Sequence, residues 1–69
     1  MDEAKFYIGE HKVPVVNKSY FVGFGLCTEE EIVRKSRYVE LLPAFDSEID
    51  YASKLVELEE AGKSVVIYN

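Results

Sequence analysis

From Asp46 to Gly62, apolar and polar residues follow one another with the period of an amphipathic helix. Ser47, with Asp50 three residues later, is typical of a helix N-cap, and Gly62 is typical of a residue that ends a helix. At 100° per residue, about half of the circumference is apolar. The residues of this apolar arc are Ile49, Tyr51, Ala52, Leu55, Val56 and Leu58. The pattern predicts one long C-terminal amphipathic helix with an unusually wide apolar arc.

The wide arc allows two interpretations of which side faces a sheet. In the first, the packed residues are Ile49, Ala52, Leu55 and Val56, and the others lie at the margin. In the second, Tyr51 and Leu58 form a further contact for a protein partner or a second copy of the chain. Under the second interpretation, replacing Tyr51 and Leu58 by serine leaves folding largely intact and abolishes association.

Stretches rich in β-branched and aromatic residues predict five strands. Their ranges are 4–8, 12–16, 20–27, 38–42 and 64–68. Residues 9–11 and 17–19 read as turns. Because Pro14 cannot donate a backbone hydrogen bond, we expect the strand 12–16 to lie at a sheet edge or to have its donor side facing water. The last strand either pairs centrally or stays at an edge, where it is available for strand addition by a partner.

The strand 20–27 has one large face and one partly bare face. Large residues occupy alternate positions from Tyr20 to Leu26 and form one face of the strand. The positions between them form the other face, which carries Gly23 and Gly25. Two glycines on one face allow another element to approach closely, or mark a bulge. We therefore expect a helix to cover the glycine face.

Residues 28–36 fit either a short helix or a hairpin. Thr28 and Glu31 form a capping-box pair, which favours a helix. The order of charges, with acidic residues first and basic residues last, also favours a helix. The β-branched pair Ile32 and Val33 also fits a hairpin. With the helix, the order is β-β-β-α-β-α-β, and the chain is predicted to be a single compact α+β domain over 1–69 with a small, mainly antiparallel sheet.

Charge limits the partners that the chain is expected to bind. The 69 residues carry a net charge of −5, and most of the acidic surplus lies on the long helix. This surplus would repel a phosphate backbone, so we expect no direct nucleic-acid binding. Asp50, Glu57 and Glu60 could instead occupy a basic, nucleic-acid-binding site on another protein. Glu48 and Glu59 point into the apolar arc, so the arc is not expected to be dry throughout.

No residue pattern indicates catalysis, a cofactor or a metal. The Gly23–Gly25 segment lacks the rest of a phosphate-binding loop, and the acidic residues 29–31 would repel an anion there. Those three carboxylates diverge around a helix and cannot converge on one ion. Cys27, the only cysteine, is expected to be buried and structural. With no signal peptide and no apolar run of membrane-spanning length, we expect a cytoplasmic protein without membrane contact.

Residues 20–42 resemble the strand–acidic helix–strand pattern of small accessory proteins encoded beside phage head genes. The resemblance rests on the aromatic strand from Tyr20, the sequence TEEEIVRKS and the following RYVELL, about a third of the chain. It implies a viral structural or accessory role and identifies no site residues.

The leading functional hypothesis is a non-enzymatic protein–protein interaction module, in the phage context an accessory or assembly protein. Its partner-binding surface is predicted to combine Tyr51, Leu55 and Leu58 with the last strand. The alternative is a small acidic inhibitor of a host enzyme that acts through Asp50, Glu57 and Glu60.

Overall fold

The computed structural model describes residues 3–13, 18–35 and 38–68. The described elements are β1 (Lys5–Val13), β2 (Lys18–Cys27), α1 (Glu29–Lys35), β3 (Val39–Leu41), α2 (Glu48–Glu60) and β4 (Val65–Ile67). The strands form one sheet in the order β3-β1-β2-β4. β1 is antiparallel to both β2 and β3, whereas β4 runs parallel to β2. The fold is α+β as expected, but the sheet is mixed.

The predicted turn at residues 9–11 is wrong, because one continuous strand, β1, runs through it. Gly9 pairs with Val22 on one side and Leu41 on the other. A Cβ at Gly9 would contact Val39 and lie 2.9 Å from Phe24 Cε2. The glycine therefore makes room for side chains of neighbouring strands instead of bending the chain, and the element order is β-β-α-β-α-β.

β1 pairs with β3 over residues 9–11, and within the described residues Lys12 and Val13, the start of the segment expected at an edge, pair only with β2. Pro14 follows the last residue of β1 and lies, with residues 15–17, outside the described part of the chain. Lys18 and Ser19, expected in a turn, already belong to β2.

The two helices pack on opposite faces of the sheet. Alternate β1 residues point to opposite sides, so Phe6 and Ile8 face α2 while Tyr7 faces α1. Ile8 is fully buried beneath α2. On the other face, Tyr7 packs with Cys27 and with Ile32 of α1. The core therefore consists of two clusters separated by the sheet.

A bulge in β2 changes which residues share a face. Phe24 is an extra residue, because Tyr7 pairs with Gly25 whereas Ile8 pairs with Gly23. Gly25 has a φ of +73°, a conformation that glycine adopts without steric cost. Beyond the bulge the alternation is inverted, so Gly23 faces α2 while Cys27 faces α1. The predicted glycine face thus extends only as far as Gly23.

Both helices begin as their sequences predict. The Asp50 N–H donates to Ser47 Oγ (3.4 Å) at the start of α2. In α1, the Glu31 N–H donates to Thr28 Oγ1 and the Thr28 N–H donates to Glu31 Oε1, both at 3.3 Å. A helix, not a hairpin, therefore follows β2, although Ser36 lies outside the described residues. Gly62, with a φ of +83°, follows α2 as expected, but α2 has 13 residues and is shorter than the predicted long helix.

The structure corrects the rotation of α2 about its axis. Tyr51, Leu55 and Leu58, predicted to belong to the partner-binding surface, are buried, each with about 9% of its surface accessible. Ile49 and Val56, which the first interpretation placed in the core, are 76% and 52% exposed. The reason lies at Gly23, where the missing side chain lets Tyr51 and Leu55 approach the sheet. Tyr51 then stacks near Phe6, with ring centroids 5.4 Å apart.

We predict that a methyl group at Gly23 destabilises the fold chiefly by displacing Tyr51. The added Cβ would lie 2.6 Å from Tyr51 Oη, so Gly23→Ala is expected to lower the free energy of unfolding by about 1–3 kcal/mol, as overpacking does. Tyr51→Phe alone loses the hydrogen bond from the Gly25 N–H and should cost about 1 kcal/mol.

The double variant tests this cause by urea unfolding. With Oη removed, Gly23→Ala meets less obstruction, so the two changes together should cost at least about 0.5 kcal/mol less than their sum. Strictly additive losses would show that Tyr51 does not set the limit at this position.

Candidate interaction surface

β4 leaves one row of backbone groups unpaired within the described structure. The Phe21 N–H donates to Ser64 O (2.8 Å), and the Tyr68 N–H donates to Gly23 O (2.9 Å). Backbone groups alternate between the two sides of a strand, so Val65 and Ile67 direct their N–H and C=O groups away from β2. Because β4 ends the sheet, these groups form a free edge of the kind to which another strand can be added.

The two edges of the sheet differ in charge. On the β3 edge, Glu40 pairs with Lys12 of β1 at 2.8 Å. This hydrogen bond, with the charge attraction, lowers the pKa of Glu40 and raises that of Lys12. Residues 64–68 contain no charged side chain. Charged residues are a common protection of edge strands against pairing, and β4 lacks it.

Apolar side chains accompany the free edge of β4. Val66 and Ile67 are 49% and 54% exposed, on opposite faces of the sheet. The ring of Tyr68 lies 5.9 Å from that of Phe24, and Lys35 Nζ lies 5.0 Å from the Tyr68 ring centroid. These contacts hold the end of β4 against the α1 face.

The exposed side of α2 carries a second apolar surface, the α2 stripe, consisting of Ile49, Ala52 and Val56. These residues lie about 100–160° around the helix from Tyr51. Leu55 is the buried residue nearest to them in angle, and its Cδ1 and the Cδ1 of Ile67 in β4 lie 3.2 and 3.1 Å from the position that a Cβ of Gly23 would occupy. The α2 stripe is therefore turned toward the β4 side of the molecule.

The acidic residues of the predicted inhibitor surface are all exposed. Asp50, Glu57 and Glu60 lie within about 80° of one another on the outer side of α2 and border the α2 stripe. Lys54 is the only basic residue of α2, and its Nζ lies 3.4 Å from Glu57 Oε1. Of these three acidic residues, Glu57 is therefore the one whose charge is partly neutralised by an ion pair.

Two concave regions flank the sheet. A groove of about 490 Å³ opens beside α2 on the β3 side and is lined by Phe21, Leu42, Pro43, Phe45, Lys54 and Leu58. A smaller cleft of about 120 Å³ lies on the α1 face, where the His11 and Tyr20 rings are 5.0 Å apart. Both are mainly apolar or aromatic, as contact surfaces are.

The environment of Cys27 opposes thiol reactivity. The side chain is buried, and burial, with a further contribution from the charge of Glu31, raises the pKa of the thiol. Its Sγ donates to Gly25 O at 3.6 Å. A nucleophilic cysteine needs a lowered pKa, so this environment favours the structural interpretation. Within the described ranges, no three His, Cys, Asp or Glu residues lie together in a way that could hold a metal ion.

No protein-family model matches the chain, and comparison with curated proteins and with solved structures gives no significant match either. In the part of the chain that the structure describes, neither helix is long and apolar enough to cross a membrane.

The sequence contained a signal for the rotation of α2 that the prediction did not use. Glu59 lies about 80° from Tyr51, between the buried residue Leu55 and the exposed residue Ala52. This carboxylate divides the wide apolar arc into two halves. The half with the larger side chains, Tyr51, Leu55 and Leu58, faces the sheet, because it buries more apolar area.

We predict that two serine substitutions on α2 differ strongly in their effect on stability. Leu58→Ser leaves a cavity in the core and should lower the free energy of unfolding by about 2–5 kcal/mol. Val56→Ser changes an exposed side chain and should stay within about 0.5 kcal/mol of the native value. Urea unfolding followed by circular dichroism measures both. Equal, small losses would restore the original assignment of Leu58 to an exposed surface.

Proposed function

We propose that this chain is a non-enzymatic protein–protein interaction module that binds its partner at the free edge of β4. The observation that carries the proposal is that edge itself, with outward backbone groups at Val65 and Ile67 and no charged residue from 64 to 68. A partner strand would satisfy these groups by strand addition, a recurring mode of peptide recognition.

The α2 stripe extends the proposed surface beyond the backbone. A strand added to β4 places alternate side chains on the α2 face, beside Ile67 and below Ala52 and Val56. Apolar side chains at those positions would cover half-exposed apolar area, which provides affinity, while the backbone bonds set the register. The binding residues we propose are therefore Ile49, Ala52, Val56, Val66 and Ile67, not the buried residues of α2.

The biological context of the module is also a proposal. The resemblance of residues 20–42 to phage head-associated accessory proteins supports a viral accessory or assembly role, with the partner in the cytoplasm of the producing cell.

We predict that charge at the β4 edge abolishes partner capture. Ile67→Lys introduces a charge that strand pairing would bury, so a protein captured by the native chain from the producing cells should be lost. Val33→Lys is the matched control, because Val33 is 65% exposed on α1, on the opposite face of the sheet from α2. Quantitative mass spectrometry of the captured proteins gives the readout. Loss with both variants, or with neither, would contradict the proposed surface.

A second function, an acidic inhibitor of a nucleic-acid-binding enzyme, draws support from a separate observation. All five acidic residues of α2 are exposed, and Lys54 is the one base among them. Such a surface could approach a basic site through Asp50 and Glu60 as a phosphate backbone would.

Salt distinguishes the two functions in the captured complex. Raising the salt from about 0.1 M to about 1 M shortens the screening length from about 10 Å to about 3 Å. An inhibitor complex should dissociate over that range and be weakened by Asp50→Asn with Glu60→Gln. A strand-addition complex should persist through the same salt series and tolerate both neutral variants.

A further inference from the structure

We propose that the strand which pairs with β4 is β4 of a second copy of this chain, arranged antiparallel across a two-fold axis at Val66. The proposal rests on the proposed function for its surface and adds the identity of the partner.

The backbone of β4 is self-complementary in this register. The outward N–H and C=O groups belong to Val65 and Ile67. In an antiparallel arrangement, Val65 lies opposite the partner's Ile67, and Ile67 lies opposite the partner's Val65. Each of these pairs exchanges two backbone hydrogen bonds, so four bonds form and every outward group of the strand is used. Val66 lies opposite the partner's Val66, and these two residues form no backbone hydrogen bonds with each other.

The side chains fit the same register. Ile67 of each copy lies beside the partner's Val65 on the α2 face, and the two Val66 side chains meet on the α1 face. β-branched pairs opposite one another across antiparallel strands stabilise a sheet. Ser64 lies opposite the partner's Tyr68, so no like charges oppose each other anywhere from 64 to 68. The net charge of −5 is concentrated elsewhere, on α2.

Pairing of β4 with the other edge of the sheet is a poorer solution. A β3–β4 contact between copies is head-to-tail, so it leaves a free edge on each pair and continues into a ring or a filament. It would also bring the Lys12–Glu40 pair, which protects the β3 edge, next to an apolar strand. The two-fold arrangement closes after two copies and gives one eight-stranded sheet ended at both sides by β3. With three residues paired per copy, the interface is small, and a concentration-dependent dimer is expected.

Sedimentation equilibrium of the full chain tests the association. The native mass should rise from 7.9 kDa toward twice that value with increasing concentration. Ile67→Lys should remain at the monomer mass, whereas the control Val33→Lys should follow the native curve. Circular dichroism and the urea midpoint of both variants show whether each is folded.

Cysteine cross-linking tests the register independently of dimer strength. On the two-fold axis, Val66→Cys brings two thiols within disulfide reach, so mild oxidation should give a covalent dimer. Ser64→Cys is the matched control, because its copy lies about 13 Å away along the partner strand and cannot be bridged. Cys27 is buried and common to both variants.

The outcomes separate this proposal from the broader function. A dimer that Ile67→Lys abolishes, with cross-linking of Val66→Cys and not of Ser64→Cys, supports it. A monomer at every concentration without a Val66→Cys cross-link overturns it, as does a dimer that Ile67→Lys leaves intact. If that monomer still captures a protein that Ile67→Lys loses, strand addition stands and the partner is a different chain. If it captures none, the proposed function fails as well.

Discussion

The contact between Gly23 and Tyr51 determines how the two layers of this domain fit together. With no side chain at Gly23, the Tyr51 ring reaches the sheet and its Oη accepts a hydrogen bond from the Gly25 N–H at 3.1 Å. Burial also raises the pKa of Tyr51, which keeps the hydroxyl neutral where it meets the sheet. Once Tyr51 is seated, Leu55 and Leu58 follow it onto the sheet, because they share its side of the helix. The rotation of α2 then leaves Ile49, Ala52 and Val56 exposed.

The bulge at Phe24 connects this contact to the other face of the sheet. It supplies the Gly25 N–H that Tyr51 binds, and it inverts the alternation of β2. Cys27 therefore joins Tyr7 and Ile32 in a separate cluster beneath α1. A single extra residue thus allows one strand to serve two small cores. In a chain of 69 residues, where apolar area is limited, this arrangement gives each helix something to cover.

The two edges of the sheet differ, and the apolar surface that stays exposed lies beside the uncharged edge. The β3 edge carries an exposed ion pair, while β4 carries none and lies on the same side as the α2 stripe. A small domain that leaves an uncharged edge beside exposed apolar side chains is exposed to pairing with other chains. The proposed interaction with another protein rests on this combination more than on any concave site.

Features that depend only on residues close together in the chain could be predicted from the sequence. The N-cap at Ser47, the capping box at Thr28, the end of α2 near Gly62 and the strand character of β2 and β4 all follow from short-range patterns. The remaining features depend on contacts between distant parts of the chain. Gly9 suggests a turn in the sequence, but in the structure side chains of neighbouring strands occupy the space beside it. Likewise, half of the apolar arc of α2 is buried because the absence of a side chain at Gly23 leaves room for Tyr51. A glycine has no side chain whose polarity or size would indicate its role. Only the residues packed against it show whether it forms a turn or leaves room for other side chains.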